Sequence, residues 1–529
     1  MHVEEDKDRE RFPWHQTLER TTSPEASPPK QSGVQCFGQT VKDWVRDHPT
    51  RVGATVAAVV LVICAAILVP ILLLDPGVTN RSGSSAPLPN PTTDPDQYGN
   101  HPGGGDTFDD SARANPHVPP LSQAFRYGTD PIRGVNLGGW LVIEPFITPS
   151  LFDQFSLEDH VVDEWSLCKK LGPIEARRQL EKHYATFVNE EDFHRMATMG
   201  LNHVRIPVGH WAIDHTSDEP FVPKLAWDYL LKGIQWARKY GLRVMVELHS
   251  APGSQNGWNH SGKSGTVGWL NGTMGDANAQ RTLKIIKDMV QFFNKPQWAH
   301  VVPVIGVLNE PAIFRLEPSR VKDWYRESYH ALRNITGHGN GPYLTYHEGF
   351  LGMPAWTGFF KNYDRVILET HTYLIFDQGL VSMSRDQQAT FPCGSWRRDL
   401  KNAMASVAPT MVGEFSLATN DCGKYVNGVG LGTRYEGTFM ENGHPVPAVC
   451  PNCNCTASND WKNWTEDYKV FLRQFIERQM DAFENSLGWF FWTYKTENHI
   501  NPHWDYSLGW EQGWIPRDAN DRKYSCERV

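Results

Sequence analysis

Two glutamates follow apolar runs of the chain. Glu310 lies in VIGVLNEPA, residues 304–312, and Glu414 lies in TMVGEF, residues 410–415. A carboxylate at the end of a buried strand costs free energy unless it is paired or used. Two carboxylates in one cleft, one protonated and the other ionised, are the groups that cleave a glycosidic bond. The two glutamates are therefore candidates for a catalytic pair.

Arg205, within the apolar run NHVRIPV, is a cation that can separate the pKa values of two such carboxylates. A positive charge keeps one carboxylate ionised, whereas burial or a second negative charge raises the pKa of the other. A rim salt bridge for Glu310 and a helix contact for Glu414 are the simpler interpretations of each residue alone. The presence of both glutamates, with Asn309 beside Glu310, favours the catalytic interpretation.

Eight short apolar runs must position these residues, and helix-like stretches such as WDYLLKGIQWARKYG lie between them. Nearly continuous apolar runs are typical of strands covered on both faces. This alternation predicts an α/β fold, a (β/α)8 TIM barrel. A doubly wound open sheet is the alternative, and no GxGxxG or Walker loop supports it. The runs are IRGVNLGGW, NHVRIPV, RVMVELH, VIGVLNE, PYLTYHE, VILETHTY, TMVGEF and GWFFWTYK.

Polar and aromatic residues end these runs. In a (β/α)8 barrel the active site lies at the carboxyl ends of the strands. One polar residue at a strand end is usually a cap, but many on one rim predict a functional site. The residues are Arg205, His249, Asn309, Glu310, Glu348, His371, Tyr373, Glu414 and Trp492.

Composition narrows the class of protein. The formal net charge of −9 argues against a nucleic-acid partner, because phosphate binding needs a basic surface. The chain has 20 tryptophans, which serve packing and are also suited to stacking on the apolar faces of sugar rings. The tryptophan content is consistent both with a globular protein that has a large core and with a carbohydrate ligand.

Residues 52–74 contain no charged side chain and are long enough to span a bilayer as a helix. We interpret them as an uncleaved signal anchor. Lys42, Arg46 and Arg51 precede the segment, so the N-terminus is expected to be cytoplasmic. The predicted organisation is a disordered tail (1–51), the transmembrane segment (52–74), a flexible stalk (75–118) and the barrel domain (119–529). The predicted location is the cell membrane, single-pass type II, with the barrel facing the cell wall.

Sequons and cysteines fit an extracytoplasmic domain. Seven cysteines follow the apolar segment, enough for two or three disulfides. Cys450, Cys453 and Cys455 form a cluster, but no His or second CxxC stands at ligand spacing, so no metal site is predicted. The N-x-[ST] triplets, all candidate glycosylation sites, begin at Asn80, Asn259, Asn271, Asn334, Asn454 and Asn463.

The chain from about residue 120 onwards resembles the fungal exo-β-1,3-glucanases of glycoside hydrolase family 5. Some relatives carry a similar membrane anchor. The stretches that carry the resemblance are RGVNLGGWLVIEPFITPSLF (133–152), LNHVRIPVGHWA (201–212), LHSAPGSQNG (248–257), LNEP (308–311), THTYLIF (370–376), GEFSLATNDCGKYVNGVG (413–430) and FFWTYKTE (490–497).

The resemblance implies roles for the residues at the centre of the site. Glu310 matches the general acid/base and Glu414 the nucleophile. Asn309 matches a residue that hydrogen-bonds the sugar 2-hydroxyl. Arg205 and Tyr373 match residues that hold and orient the nucleophile.

It also implies further substrate-binding residues around them. Trp492 matches the floor of the first sugar subsite, and Glu144 matches a position that binds hydroxyls of the terminal glucose. Two histidines are expected to contact the sugar or the carboxylates, and an aromatic pair is expected at the cleft entrance. These last four residues are His249, His371, Trp258 and Phe376.

Disulfides follow from the same analogy. Cys393 is expected to pair with Cys526, and Cys422 with Cys450, Cys453 or Cys455. Asn259 stands where relatives usually have Asp beside the entrance aromatic. We expect Asn259 to be poorly glycosylated or the acceptor preference to differ from that of the relatives.

The implied activity is release of glucose from the non-reducing ends of β-1,3-glucan, with retention, in cell-wall remodelling. It needs no metal or organic cofactor, and the protein is expected to be a monomer. Alternatives within enzymes are cleavage of β-1,6-glucan, a glucosylated lipid or a small glucoside, and transglycosylation. The alternative from another class is a non-catalytic glucan-binding wall protein.

Overall fold

The computed structural model describes residues 108–441 and 444–527. Eight parallel strands in these residues close into a barrel, in which each strand pairs with its neighbours in the chain and the last pairs with the first. Each predicted run supplies one strand, so the prediction of an eight-stranded barrel is confirmed. The strands are β1 Ile132–Asn136, β2 His203–Val208, β3 Arg243–Leu248, β4 Val304–Gly306, β5 Tyr343–His347, β6 Val366–Thr372, β7 Thr410–Phe415 and β8 Gly488–Phe491.

Helices connect most of the strands. Between β5 and β6 the chain forms only a 3₁₀ turn, Met353–Trp356, in place of a helix. A two-stranded hairpin pairs Met440–Glu441 with His444–Pro445. The helices of seven or more residues are α1 Glu164–Phe187, α2 Glu190–Thr198, α3 Leu225–Lys239, α4 Gly275–Phe293, α5 Pro318–Thr336, α6 Arg385–Phe391, α7 Arg397–Ser406, α8 Glu466–Phe483 and α9 Tyr506–Gln512.

The burial of the elements explains their sequence patterns. Every residue of β2 and β3 is buried, as expected for strands that have the barrel interior on one face and helices on the other. In α3 the buried residues Leu230, Leu231 and Ile234 recur at helical spacing and face the barrel. The register pairs His371 on β6 with Glu414 on β7 at the carboxyl ends of both strands.

The chain from Phe108 to Gln123 packs on the N-terminal ends of the strands. Asp110 accepts a hydrogen bond from Arg238 at 2.9 Å, and the Arg243 guanidinium donates to the carbonyls of Pro119, Pro120 and Gln123. The segment 108–118, which the sequence analysis assigned to the stalk, includes Asp110, which contacts Arg238 of the barrel domain. Its polar composition concealed contacts that depend on residues more than a hundred positions away.

Three disulfides lie in the described residues. Cys393 is bonded to Cys526, and Cys422 is bonded to Cys455, which resolves the partner left open by the sequence. Cys450 is therefore not the partner of Cys422 but is bonded to Cys453. Since all three clustered cysteines are oxidised, they offer no thiolate to a zinc ion.

The predicted transmembrane segment, residues 52–74, lies outside the described residues, as do the predicted tail and the sequon at Asn80. Within 108–441 and 444–527, no helix has both the length and the apolar character needed to cross a membrane.

Replacing Cys393 and Cys526 together by serine is expected to lower the free energy of unfolding by about 2–5 kcal/mol. The bond joins positions 133 residues apart, so it removes much conformational freedom from the unfolded chain. Guanidinium unfolding of the purified protein measures the change. The matched control is the Cys450/Cys453 double serine variant, whose bond spans only 3 positions and should matter little. Equal losses in both variants would contradict the loop-size argument.

Candidate active site

Glu310 and Glu414 reach the same pocket from different strands. Glu414 lies within β7, whereas Glu310 lies four residues beyond β4 with a left-handed φ of 41°. This conformation costs about 1–3 kcal/mol in a residue other than glycine. Asn256 Nδ2 donates to the Glu310 carbonyl at 3.2 Å, and Gln255 Nε2 donates to the Asn309 carbonyl at 2.9 Å. The loop after β3 therefore holds Glu310 in place.

Arg205 is fully buried beneath the pocket and fixes two of the predicted residues. Its Nη1 donates to Glu414 Oε1 at 2.9 Å, and its Nη2 donates to Asn309 Oδ1 at 2.8 Å. The Tyr373 hydroxyl donates to Glu414 Oε2 at 2.8 Å. Both oxygens of Glu414 are thus held by donors, which fixes the direction in which the carboxylate points.

His371 lies between the two glutamates. Its Nδ1 is 2.6 Å from Glu310 Oε1 and 3.5 Å from Glu414 Oε2. Because both distances start at one atom, the two oxygens are no more than their sum, 6.1 Å, apart. Its Nε2 lies 3.2 Å from Glu369 Oε1, which anchors the other side of the ring. The two glutamates therefore face one small space.

The surroundings of His371 favour its protonated form. Burial lowers the pKa of His371, but the charge of Glu414 and the hydrogen bonds to Glu310 and Glu369 outweigh burial and raise that pKa to about 10. Burial raises the pKa of Glu310, but the hydrogen bond from His371 and its positive charge outweigh burial and hold that pKa well below the usual range. Burial raises the pKa of Glu414, and the charge of Glu310 adds to this against His371 and Arg205.

The sequence analysis expected the two environments to separate the carboxyl pKa values and did not say which of them is raised. In the free site the pKa of Glu414 is raised and that of Glu310 is lowered. The sequence indicated Arg205 as the cation of the site and did not reveal the second cation, the His371 imidazolium, which lies closest to Glu310.

Glu247 and Glu369, which the sequence analysis missed, form a second layer below the pocket. Glu247 Oε2 lies 2.9 Å from His249 Nδ1, and both glutamates lie within 3.4 Å of the Arg205 guanidinium. Burial raises the pKa of Glu247 to about 8. For Glu369, Arg205 and His371 outweigh burial and lower the pKa to about 2. Each lies two residues before a predicted histidine, so strand alternation was the available signal.

Gly413 is required where β7 passes Glu369. A Cβ at this position would overlap the Glu369 carboxylate. The glycine that precedes Glu414 therefore makes room for the buried acid that anchors His371.

Three buried side-chain nitrogen atoms of the pocket lining have no hydrogen-bond partner among the described residues. They are His249 Nε2, His260 Nδ1 and Asn309 Nδ2. The His249 ring stacks on Trp492 at 5.6 Å with an interplanar angle of 6°. Burial lowers the pKa of His249 to about 3, so this ring is neutral at ordinary pH. Unpaired polar atoms beside a flat indole suit a ligand that has hydroxyl groups, which both donate and accept, and an apolar face.

The lining of the pocket combines carboxylates with aromatic rings. Burial raises the pKa of Glu144 well above its usual value, and Glu144 accepts from the Gly139 amide at 3.2 Å. Trp258 lies outside the lining, with its ring centroid 5.5 Å from that of His260. The lining residues are Glu144, Phe146, His249, Asn259, His260, Asn309, Glu310, Tyr373, Phe376, Glu414, Val426, Trp492 and Trp504. His260, Phe146 and Trp504 were not predicted, since none ends an apolar run.

One group of side chains has the spacing of a metal site. Ligand atoms of Glu310, His347 and His371 lie within 4.8 Å of one another. The 2.6 Å hydrogen bond between His371 and Glu310 already uses one ligand atom of each residue. This hydrogen bond accounts for the closeness of Glu310 and His371.

Residues 172–434 match the family described as Cellulase (glycosyl hydrolase family 5). The chain is 44% identical over 429 residues to "Probable glucan 1,3-beta-glucosidase D" of Aspergillus terreus, covering 79% of this chain and 50% of that protein. It is 43% identical to the protein of the same name in Neosartorya fischeri, covering 79% of this chain and 51% of that protein. The chain therefore spans about half the length of the curated relatives it matches.

A crystal structure of rutinosidase from Aspergillus niger has a similar fold. Its TM-score is 0.58 at 19% identity, covering 74% of this chain and 99% of that chain. At this identity the likeness supports the barrel fold alone. The segment that matches the glycosyl hydrolase family 5 description, residues 172–434, includes both Glu310 and Glu414 at the carboxyl ends of β4 and β7.

Proposed function

We propose that this protein is a retaining glycoside hydrolase that releases glucose from the non-reducing ends of β-1,3-glucan. The observation that carries the proposal is the shared contact of Glu310 and Glu414 with His371, which limits the separation of their facing oxygens to about 6 Å. Retaining enzymes hold their carboxyl groups about 5–5.5 Å apart, and inverting enzymes about 6.5–9.5 Å apart. The upper limit on the oxygen–oxygen distance therefore favours a retaining mechanism.

In the first step Glu414, oriented by Arg205 and Tyr373, attacks the anomeric carbon of the bound glucose. The bond to the leaving oxygen breaks, and that oxygen takes a proton from Glu310. The 2.6 Å hydrogen bond lets His371 pass its proton to Glu310 at this moment. The products of this step are a covalent glucosyl ester on Glu414 and the shortened glucan.

In the second step water attacks the same carbon from the face vacated by the leaving group. The Glu310–His371 pair takes the proton of the water as the ester bond to Glu414 breaks, so β-glucose leaves with its configuration retained. Asn309 Nδ2, which has no partner among the described residues, is available to the sugar 2-hydroxyl. That hydrogen bond strengthens as the transition state forms.

The linkage is proposed from the names of the similar proteins. Both relatives are named as probable glucan 1,3-beta-glucosidases and share 43–44% identity with this chain. The test is product analysis on laminarin beside a β-1,6-glucan, with the anomeric configuration followed over time. Release of single β-glucose units from laminarin supports the proposal. Release from the β-1,6-glucan alone, or an α product, overturns it, and no release from either would favour a non-catalytic glucan-binding protein.

The pH dependence of hydrolysis should depend on His371. Activity needs a proton on the Glu310–His371 pair, and since the pKa of His371 is about 10, the alkaline loss of kcat/KM should occur near that pH. In His371→Gln the proton must reside on Glu310 alone, so the alkaline limb should move down by at least about two pH units. Initial rates on laminarin across pH measure both limbs.

The matched control for this prediction is His260→Gln. His260 Nε2 lies 3.3 Å from the other Glu310 oxygen, and burial lowers the pKa of His260 to about 4, so it is neutral. A neutral amide in its place should leave the alkaline limb where it is. An unchanged limb in His371→Gln would show that the proton of the site is held elsewhere.

The sequon at Asn259 is proposed to be unoccupied in the active enzyme. Asn259 lines the pocket, and the Ser261 hydroxyl of the same sequon is buried and hydrogen-bonded within the loop. A glycan at Asn259 would block the path of the substrate. Glycopeptide mapping of laminarin-active enzyme should find this asparagine bare, whereas full occupancy in such a preparation would contradict the proposal.

The proposal includes anchoring of the barrel at the outer face of the cell membrane by residues 52–74, with a role in remodelling wall glucan. The support is the uncharged apolar sequence of that segment. Alkaline carbonate extraction of membranes should leave the full chain in the pellet and release a chain that lacks residues 1–74. Release of both chains would contradict the anchor.

A further inference from the structure

A second cavity, of about 450 Å³, lies beside the pocket of the two glutamates. Tyr373 and Phe376 line both spaces, so the two are neighbours across these rings. The cavity extends from there over Thr370 and Thr372 of β6 to the facing side of α7. None of the catalytic steps above uses this space.

The connection between β5 and β6 explains why the space exists. A (β/α)8 barrel normally covers each pair of strands with a helix, but here the 3₁₀ turn Met353–Trp356 takes its place. Met353 and Pro354 of this turn form one wall of the cavity. The cavity thus fills the room left by the shorter connection.

The cavity is long as well as large. Leu400, Ala403 and Val407 line it at helical spacing along one side of α7, and Trp396 lines it just before that helix begins. From Trp396 to Val407 a helix rises roughly 16 Å. A volume of 450 Å³ is within the range of sites for small organic ligands, about 300–1,000 Å³.

The walls of the cavity are mainly apolar. Phe350, Met353, Leu380, Leu400 and Val407 contribute aliphatic and aromatic surface. A glucan chain in this space would bury many hydroxyl groups against such walls without partners, which costs free energy for each one. An apolar group would instead gain from leaving water.

Glu348, an acidic residue of the inner wall, already has a hydrogen-bond partner within the protein. The Glu348 carboxylate accepts a hydrogen bond from the Gly352 amide at 2.6 Å. Burial raises the pKa of Glu348 to about 7, which reduces its negative charge at neutral pH. Three other charged groups line the cavity, and each has a partner within the protein: His371 contacts Glu310 and Glu369, Asp377 accepts from the Leu380 amide, and Asp399 accepts from Arg398.

We propose that this cavity binds the hydrophobic aglycone of a β-glucoside whose glucose occupies the pocket between Glu310 and Glu414. The inference rests on the proposed glycosidase function and adds a substrate class to it. The aglycone leaves the glucose on the side of Glu310, passes Phe376 and lies along α7. A flexible alkyl or acyl chain and a rigid ring system of similar length share this chemistry.

The experiment is titration calorimetry with hexyl, heptyl, octyl and nonyl 1-thio-β-D-glucosides, which resist hydrolysis and so report binding without turnover. If the chain enters the cavity, Kd should fall about tenfold for every two methylene groups added. A steryl β-glucoside titrated into the hydrolysis-deficient Glu414→Gln variant distinguishes a rigid occupant from a flexible chain. Kd values that do not change with chain length, together with no steryl glucoside binding, would overturn the proposal.

Variants on α7 test the location. Ala403→Phe fills the cavity and should flatten the chain-length series to less than twofold, whereas the matched control Ala405→Phe, on the exposed side of the same helix, should keep it steep. Ser406→Trp, at the exposed end of the cavity, should weaken only the longer glucosides and serves if Ala403→Phe does not fold. If Kd still fell steeply with chain length in both Ala403→Phe and Ser406→Trp, the proposed location of the aglycone would be overturned.

Laminarin hydrolysis by the same preparations separates the two proposals. Laminarin hydrolysis with a flat series and no steryl glucoside binding overturns the aglycone site and leaves the glucanase proposal intact. A steep series without laminarin hydrolysis supports the aglycone site and overturns the glucan assignment.

Discussion

Glu414→Gln will lower kcat for glucose release from laminarin by at least about 10⁴-fold. The amide cannot form the glucosyl ester, although it keeps the volume of the side chain and a hydrogen-bond acceptor for Arg205 or Tyr373. Reducing-sugar and glucose assays over long incubations measure the residual rate. The unfolding midpoint should change little, because the polar contacts around the residue are largely preserved.

Two further measurements show whether the loss is chemical. Glu164→Gln changes another fully buried glutamate, one that accepts from the Ile143 amide and does not line the pocket, and should retain activity. Glu414→Ala supplied with azide should form α-glucosyl azide, because the small anion attacks from the space of the missing carboxylate. A β azide product would mean that Glu414 is not the nucleophile.

Glu310→Gln should lower kcat on laminarin by about 10²–10⁴-fold, the usual contribution of a general acid and base. The loss should depend on the leaving group. A dinitrophenyl β-glucoside needs no proton to leave, so its first step should stay fast while hydrolysis of the ester slows. Stopped-flow absorbance should then show a burst of dinitrophenol followed by a slow steady rate.

The wild-type enzyme on the same aryl glucoside is the comparison, and it should show no comparable burst. If Glu310→Gln loses equal activity on laminarin and on the aryl glucoside, the residue acts through binding or structure, not as the proton donor.

The barrel was predictable because each of its strands appears in the sequence as a short apolar run. A strand such as that of RVMVELH is buried on both faces, so nearly all of its residues must be apolar, and this is visible in the sequence. The rim followed from the same pattern, since His249, Glu310, Glu414 and Trp492 come directly after or at the end of such runs and line one pocket. The contacts that Arg205 and Tyr373 make with Glu414 came from the resemblance, not from the pattern.

The features that the sequence did not reveal depend on contacts between distant residues. The position of the proton depends on His371 lying between two glutamates from other strands. Cys422 had three neighbouring candidates, and only the packing of their loop selects Cys455. The second cavity exists because one connection is short, which a search for motifs does not detect.

The contacts of residues 108–123 at the N-terminal ends of the strands have a practical consequence. Arg243, which binds this segment, begins β3, whereas Glu414 lies near the carboxyl end of β7 and Glu310 lies beyond the carboxyl end of β4. The segment therefore contacts the barrel at one end, and the pocket that contains Glu310 and Glu414 lies at the other. A reporter or affinity tag fused ahead of residue 108 would be attached at the end remote from catalysis, which makes this junction suitable for immobilising the working enzyme.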